Sequence, residues 1–194
     1  RLKVLDLSRI LAGPYATQLF ADLGADVVKV ENPDGGDDTR RWGPPFTSKA
    51  DSSRGDAAYF SACNRNKRSI TVDFASKAGA DLLRGLAKTA DIIVENFRPG
   101  GLQKYGLDYA SIAAINPGII YCSITGFGQT GPYANRPGYD FLIQGMGGLM
   151  SITGQPDGSA GAGPVKVGVA VCDLFTGLFT ANAALAALAY RHRT

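Results

Sequence analysis

The first thirty residues constrain the fold more than any other part of the chain. Leu2-Lys3-Val4-Leu5-Asp6-Leu7 reads as a short buried strand. Ala12-Gly13-Pro14 then turns the chain. Tyr15 to Leu23 has helical spacing, with Ala16, Leu19, Phe20 and Leu23 on one face and Gly24 as the cap. Asp26-Val27-Val28-Lys29-Val30-Glu31 is a second strand. Two strands joined through one helix by short connections make a βαβ unit, and such a unit predicts a parallel sheet.

The alternation continues downstream. Ser69 to Phe74, Asp91 to Glu95 and Ile119 to Thr125 read as strands. Ala75 to Lys88, Gly138 to Met150 and the Ala-rich Val169 to Tyr190 read as helices, with shorter helical pieces around Leu102 and from Asp108 to Ala114. Residues 32–61 and Thr153 to Gly168 read as long irregular loops; loops of that length in a domain are usually functional or mobile. The expected architecture is an α/β fold: an open, mostly parallel, Rossmann-like sheet with helices on both faces and its ligand crevice at the carboxyl ends of the strands.

Composition narrows the chemistry. The 194 residues are 45% hydrophobic and 19% charged, enough for one domain with a real core over residues 1–194. A net charge of +3 without a long Lys/Arg block argues against a dedicated nucleic-acid binder. The longest apolar tract, Leu178 to Tyr190, is broken by Thr180 and Asn182 and falls short of the roughly 18–20 residues of a membrane span. Cys63, Cys122 and Cys172 are widely spaced and odd in number, which is neither a disulfide framework nor a zinc pattern and suits a reducing compartment. The only histidine is His192, so there is no His-based metal site, and acid, base or covalent chemistry falls to carboxylates, Lys, Tyr or Cys. The sequence starts inside a strand-like run and stops directly after a helical one, which leads us to expect part of a longer protein.

The first βα turn, Leu7 to Pro14, has one glycine and lacks the dinucleotide fingerprint G-x-G-x-x-G. No phosphate-loop motif occurs either. That turn reads as an ordinary connection or as an anion site at a helix start. Asn64-Arg65-Asn66-Lys67-Arg68-Ser69 reads as solvated charge or as a contact for phosphate or carboxylate. Glu95 to Gly100 stands at a strand end, where ligand-facing residues belong. Asp173 follows an apolar run and opens the last helix, so it is either a first-turn acid favoured by the helix dipole or a carboxylate nucleophile. Asp140 is its candidate partner, or a cap.

Taken in order, Ala12-Gly13-Pro14, Asp22 to Val27, Lys29-Val30-Glu31, Gly36 to Arg40, Asn64 to Ser69, Val94 to Gly100, Gly126 to Pro132, Gly138-Tyr139-Asp140 and the Asp173 segment resemble the class III CoA-transferase family. That group contains formyl-CoA transferase, carnitine CoA-transferase and α-methylacyl-CoA racemase. Gly36 to Arg40, followed by Trp42 to Phe46, and Tyr121 to Gly126 are most similar to the succinate–hydroxymethylglutarate (glutarate) CoA-transferase type.

The resemblance implies that Asp173 is the catalytic carboxylate. It implies CoA contacts at Ala12, Asn96, Phe97 and Lys104, and places Tyr139 and Asp140 near the active site. It also implies a reaction in which Asp173 forms an anhydride and then a CoA thioester while CoA passes between carboxylic acids, a dicarboxylyl-CoA donor such as succinyl-CoA and a dicarboxylate acceptor. Acyl-CoA and the free acid are then the partners, with no permanently bound cofactor and no metal, membrane or nucleic acid. The family continues into a small domain and a C-terminal return segment, both beyond residues 1–194, and forms interlocked homodimers. Bacterial cytoplasm and mitochondrial matrix both fit. Asn32, where the family often has Arg, and Ala75, where formyl-CoA transferase has Lys, depart from the pattern. Racemases have His where this chain has Tyr139, and a tyrosine near pKa 10 is a poor neutral-pH base, so transfer is favoured over racemisation. The remaining alternatives are a CoA-binding module without turnover and an unrelated Rossmann-like interaction domain.

Overall fold

In the computed structural model, which describes residues 1–194, the chain runs β1 (Lys3–Asp6), α1 (Ala12–Asp22), β2 (Asp26–Glu31), β3 (Phe46–Ser48), β4 (Arg54–Ala57), α2 (Ala58–Asn64), β5 (Arg68–Thr71), α3 (Lys77–Ala87), β6 (Ile92–Glu95), α4 (Tyr109–Ile115), β7 (Ile120–Ser123), α5 (Asp140–Met146) and α6 (Val171–Arg191). Five strands form one sheet in the order β5-β2-β1-β6-β7, and every pairing in it is parallel. The chain builds outward from β1 on one side, then crosses to β6 and builds outward on the other. That reversal opens a crevice between the carboxyl ends of β1 and β6.

Strand residues alternate between the two faces, as the pleat requires. Val4, Ile92 and Val94 face Ala16 and Phe20 of α1 and Ala181 and Ala184 of α6. Leu5, Leu7 and Ile93 face Leu83 of α3 and Ile112 of α4. Helices therefore cover both faces, as expected. α6 lies on α1 through Gly177, Ala181 and Ala184, small residues that let the two backbones come close.

Three expectations need correction. First, α1 starts at Ala12 and not at Tyr15, so Ala12-Gly13-Pro14 is its first turn, where the missing proline N–H has no helical carbonyl to bond. Second, residues 32–61 are not irregular throughout. They hold a 3-10 turn (Asp38–Arg41), the antiparallel hairpin β3–β4 and most of α2. Arg40 ties this excursion down by ion pairs to Glu31 at 2.6 Å and Asp56 at 2.5 Å. Third, α6 forms one continuous helix through Thr180 and Asn182, 21 residues long, and so is long and apolar enough to cross a membrane by length and composition. Here its buried seam packs on α1, while Phe175, Phe179 and Tyr190 stand exposed.

Candidate functional site

The β1 exit is a strained turn held by buried charge. Ile10 has φ of 72°, a left-handed conformation uncommon for a β-branched residue. Its N–H donates to the Asp37 carboxylate at 3.1 Å. Lys29, buried in β2, bonds both Asp37 at 2.9 Å and the Ser8 carbonyl at 2.9 Å. Below it, Asp6 accepts from Thr17 at 2.5 Å, from Ser8, and from Lys67 at 2.9 Å. Burial alone would raise the Asp6 carboxyl, but the Lys67 and Lys29 ammonium groups together with the Ser8 and Thr17 hydroxyls outweigh it and hold it well below the usual range. A buried lattice of opposite charges thus fixes where Arg9 to Ala12 lie.

The β6 exit is clasped to it. Asn96 donates from Nδ2 to the Arg9 carbonyl at 2.8 Å and accepts the Arg9 N–H at 2.9 Å. One amide side chain therefore bridges the crevice at the point where the sheet order reverses. Phe97 packs edge-on against Phe74, ring centres 5.6 Å apart, and reaches into the cavities on both sides.

The third wall brings in the acids. Gly126, after β7, and Gly138 meet backbone to backbone: a Cβ on Gly126 would lie 2.4 Å from the Gly138 Cα. No larger residue fits at that crossing, which delivers Tyr139 and Asp140 to the start of α5. Asp140 Oδ1 accepts the N–H groups of Cys172 and Asp173 at 2.8 and 3.2 Å, capping the first turn of α6 from outside the helix. Asp173 stands on that turn, mostly buried. Its burial, reinforced by the Asp140 charge beside it, pushes its pKa up to about 6. A carboxylate of that basicity is still ionised at neutral pH and is a better nucleophile than an ordinary aspartate.

These walls enclose a cleft of about 540 Å³. Ala12, Asn96, Phe97, Tyr139, Asp140 and Asp173, six of the seven residues singled out in the sequence, line it together. Lys104 does not. It is exposed on the 3-10 turn after β6, its ammonium 4.7 Å from the centre of its neighbour Tyr105's ring. A smaller cavity of about 170 Å³, lined in part by Asn32, Lys29 and Phe97, adjoins on the β2 side.

The basic cluster before β5 divides between surface and interior: Arg65, Asn66 and Arg68 are exposed but paired, and only Lys67 turns inward. Arg65 and Asn66 bond Asp22, Arg68 bonds Asp26, and Lys67 is buried on Asp6. Sequence reading missed Asp37, Gln144 and Tyr59. Tyr59 comes in from α2; burial raises its phenol, and the nearby Cys63, Asp173 and Asp140 add to that. One signal was available for Asp37: a lysine in the middle of a buried parallel strand must find a counter-charge.

The comparisons with known proteins decide the family. The sequence pattern of CoA-transferase family III matches residues 1–194. The chain belongs to that family. It is 57% identical over 193 residues to the succinate–glutarate CoA-transferase of Agrobacterium fabrum, covering 100% of this chain and 47% of that protein. It is 50% identical over 193 residues to the succinyl-CoA:glutarate CoA-transferase of Mus musculus, with 100% and 42% covered. Among solved structures, a CAIB/BAIF family protein from Brucella suis superposes with a TM-score of 0.93 at 60% identity, over 99% of this chain and 49% of that one. The chain therefore spans about half the length of the curated relatives it matches. Within this family the parallel sheet without a dinucleotide fingerprint is accounted for, and an unrelated Rossmann-like domain is excluded.

Proposed function

We propose that these residues are the nucleotide-binding part of an enzyme that moves CoA between dicarboxylic acids, with Asp173 as the nucleophile. The observation that carries the reading is the setting of Asp173: a mostly buried carboxylate with pKa about 6, at the head of a helix, opening into the cleft at the sheet's reversal point. Both similar CoA-transferases carry succinate and glutarate in their names, and this supports short dicarboxylates as the acids exchanged.

The steps balance without ATP or metal. An Asp173 oxygen attacks the thioester carbonyl of the donor, the C–S bond breaks, and CoA leaves as thiolate with an anhydride formed. The thiolate attacks the Asp173 carbonyl of that anhydride. The donor acid departs with one oxygen from Asp173, and an aspartyl-CoA thioester remains. The acceptor carboxylate then attacks this thioester, CoA is expelled, and its return to the acceptor carbonyl restores the Asp173 carboxylate. Asp173 gives up one oxygen to the donor acid and gains one from the acceptor. Tyr139, exposed beside it, is suited to hydrogen bonding with an acyl group and not to removing an α-proton. Phe97 and the Arg9–Asn96 clasp form the floor on which CoA would lie.

The test uses the full-length protein. With succinyl-CoA, borohydride should trap a reduced aspartyl residue at position 173, and oxygen-18 in the acceptor glutarate should appear in Asp173 after one turnover. Asp173→Asn should abolish both. Undiminished transfer by that variant would remove Asp173 from the reaction.

A further inference from the structure

Gln144 belongs to no motif and is wholly buried. It lies one helical turn beyond Asp140 on α5, so the two side chains share a face. Its Nε2 donates to Asp140 Oδ2 at 2.5 Å, and its Oε1 accepts the Val167 N–H at 2.8 Å. The other Asp140 oxygen holds the Cys172 and Asp173 amides. Val167 is near the end of the Thr153–Gly168 loop, whose body is folded on itself: Thr153 bonds Val165, and Gln155 bridges Ala162. A chain of hydrogen bonds therefore runs from that loop, through one amide and one carboxylate, to the backbone of the nucleophile.

We propose that Gln144 is a positioning residue that couples the 153–168 loop to Asp173. Its amide fixes which way the Asp140 carboxylate faces, and the same amide holds the loop's C-terminal end. An amide suits this place because it offers a donor and an acceptor at once. A carboxylate could hold Val167 but would repel Asp140, and an apolar side chain of the same length could hold neither. With the loop displaced, Val167 releases the amide, Asp140 loses its donor, and the first turn of α6 loses a fixed cap. The loop's position and the nucleophile's geometry thus change together. The catalytic consequence rests on the reading of Asp173 as nucleophile; the mechanical coupling does not.

Two variants of the full-length protein test it, with backbone amide exchange and steady-state transfer as readouts. Gln144→Met keeps shape and length and removes both bonds. Exchange at Val167, and also at Cys172 and Asp173, should accelerate at least about tenfold, and kcat should fall by about ten- to a hundredfold with KM for the acyl-CoA within about twofold. Gln144→Glu should keep Val167 protected while Cys172 and Asp173 lose protection. Unchanged exchange at Cys172 and Asp173 in both variants would overturn the coupling. So would a Gln144→Met enzyme with normal kcat. If the unaltered protein transfers no CoA, the functional reading fails, and the exchange data still decide the coupling.

Discussion

Gly177 is one turn beyond Asp173, where α6 crosses α1. A Cβ at this position would stand 2.7 Å from the Ala12 carbonyl oxygen, 3.2 Å from Tyr15 Cδ1 and 3.4 Å from the Ala16 nitrogen. The closest of these is backbone and cannot swing aside. Restoring ordinary contact at 3.4 Å requires the helices to part by about 0.7 Å, the difference between 3.4 and 2.7 Å. Two effects oppose each other in Gly177→Ala. Alanine favours a helix interior by about 1 kcal/mol over glycine, whereas overpacking a tight contact costs about 1–3 kcal/mol. The clash wins, with net destabilisation of up to about 2 kcal/mol and a fall in Tm of a few degrees, at roughly 2–4 °C per kcal/mol in a chain of this size. Gly85→Ala is the internal control. Gly85 is also helical, in the last turn of α3, but a Cβ there meets nothing within 4 Å, so Tm should rise. Thermal unfolding followed by circular dichroism compares the two variants directly. In the full-length enzyme Gly177→Ala should also slow transfer, because Asp173 moves with its helix. If both alanines stabilise equally, the α1–α6 seam is not tight and does not set the place of Asp173.

Two further outcomes follow from the buried charges. Asp173 has a folded pKa of about 6, above its unfolded value near 3.9, so the native state is favoured below pH 4 and loses that advantage as pH rises through 6. Asp173→Asn should therefore raise stability at pH 7.5 by up to about 3 kcal/mol and by only about 0.5 kcal/mol at pH 4, and a gain of equal size at both pH values would refute the shift. Lys29→Met leaves the Asp37 carboxylate buried without its cation and should cost about 3–5 kcal/mol, whereas adding Asp37→Leu should recover part of it; a neutral single variant in denaturant unfolding would mean that the pair is not buried in solution.

The βαβ alternation was legible because strand and helix periods are local. The second strand was read at Asp26 to Glu31, the bounds that β2 has. What escaped detection depends on partners distant in sequence. β3, β4 and α2 look like a polar loop because their support is Arg40 on Glu31 and Asp56, and Gln18 on the Ala62 carbonyl. Lys67 looks like surface charge because Asp6, its counter-ion, is 61 positions away. In the site, the ordered motifs brought out Asp173, Asp140, Tyr139, Asn96, Phe97 and Ala12, all of which the fold gathers into one cleft. Gln144 escaped because a glutamine in a seven-residue helix carries no local sign that both ends of its amide are committed.

The strand order also dictates a sequence of events as the chain emerges and folds. β1 is central, but its two neighbours arrive at very different times: β2 starts at Asp26 and β6 at Ile92. Until β6 exists, β1 is an open edge carrying Val4 and Leu5, the kind of edge that invites mispairing with other chains. α6 docks later still, bringing Gly177 back onto Ala12. Contacts spanning that much chain are slow to form. Every strand of the sheet and its charged turn thus precede Asp173 in the chain, and a chain arrested ahead of Val171 would present the β1–β6 crevice without the acid that stands beside it.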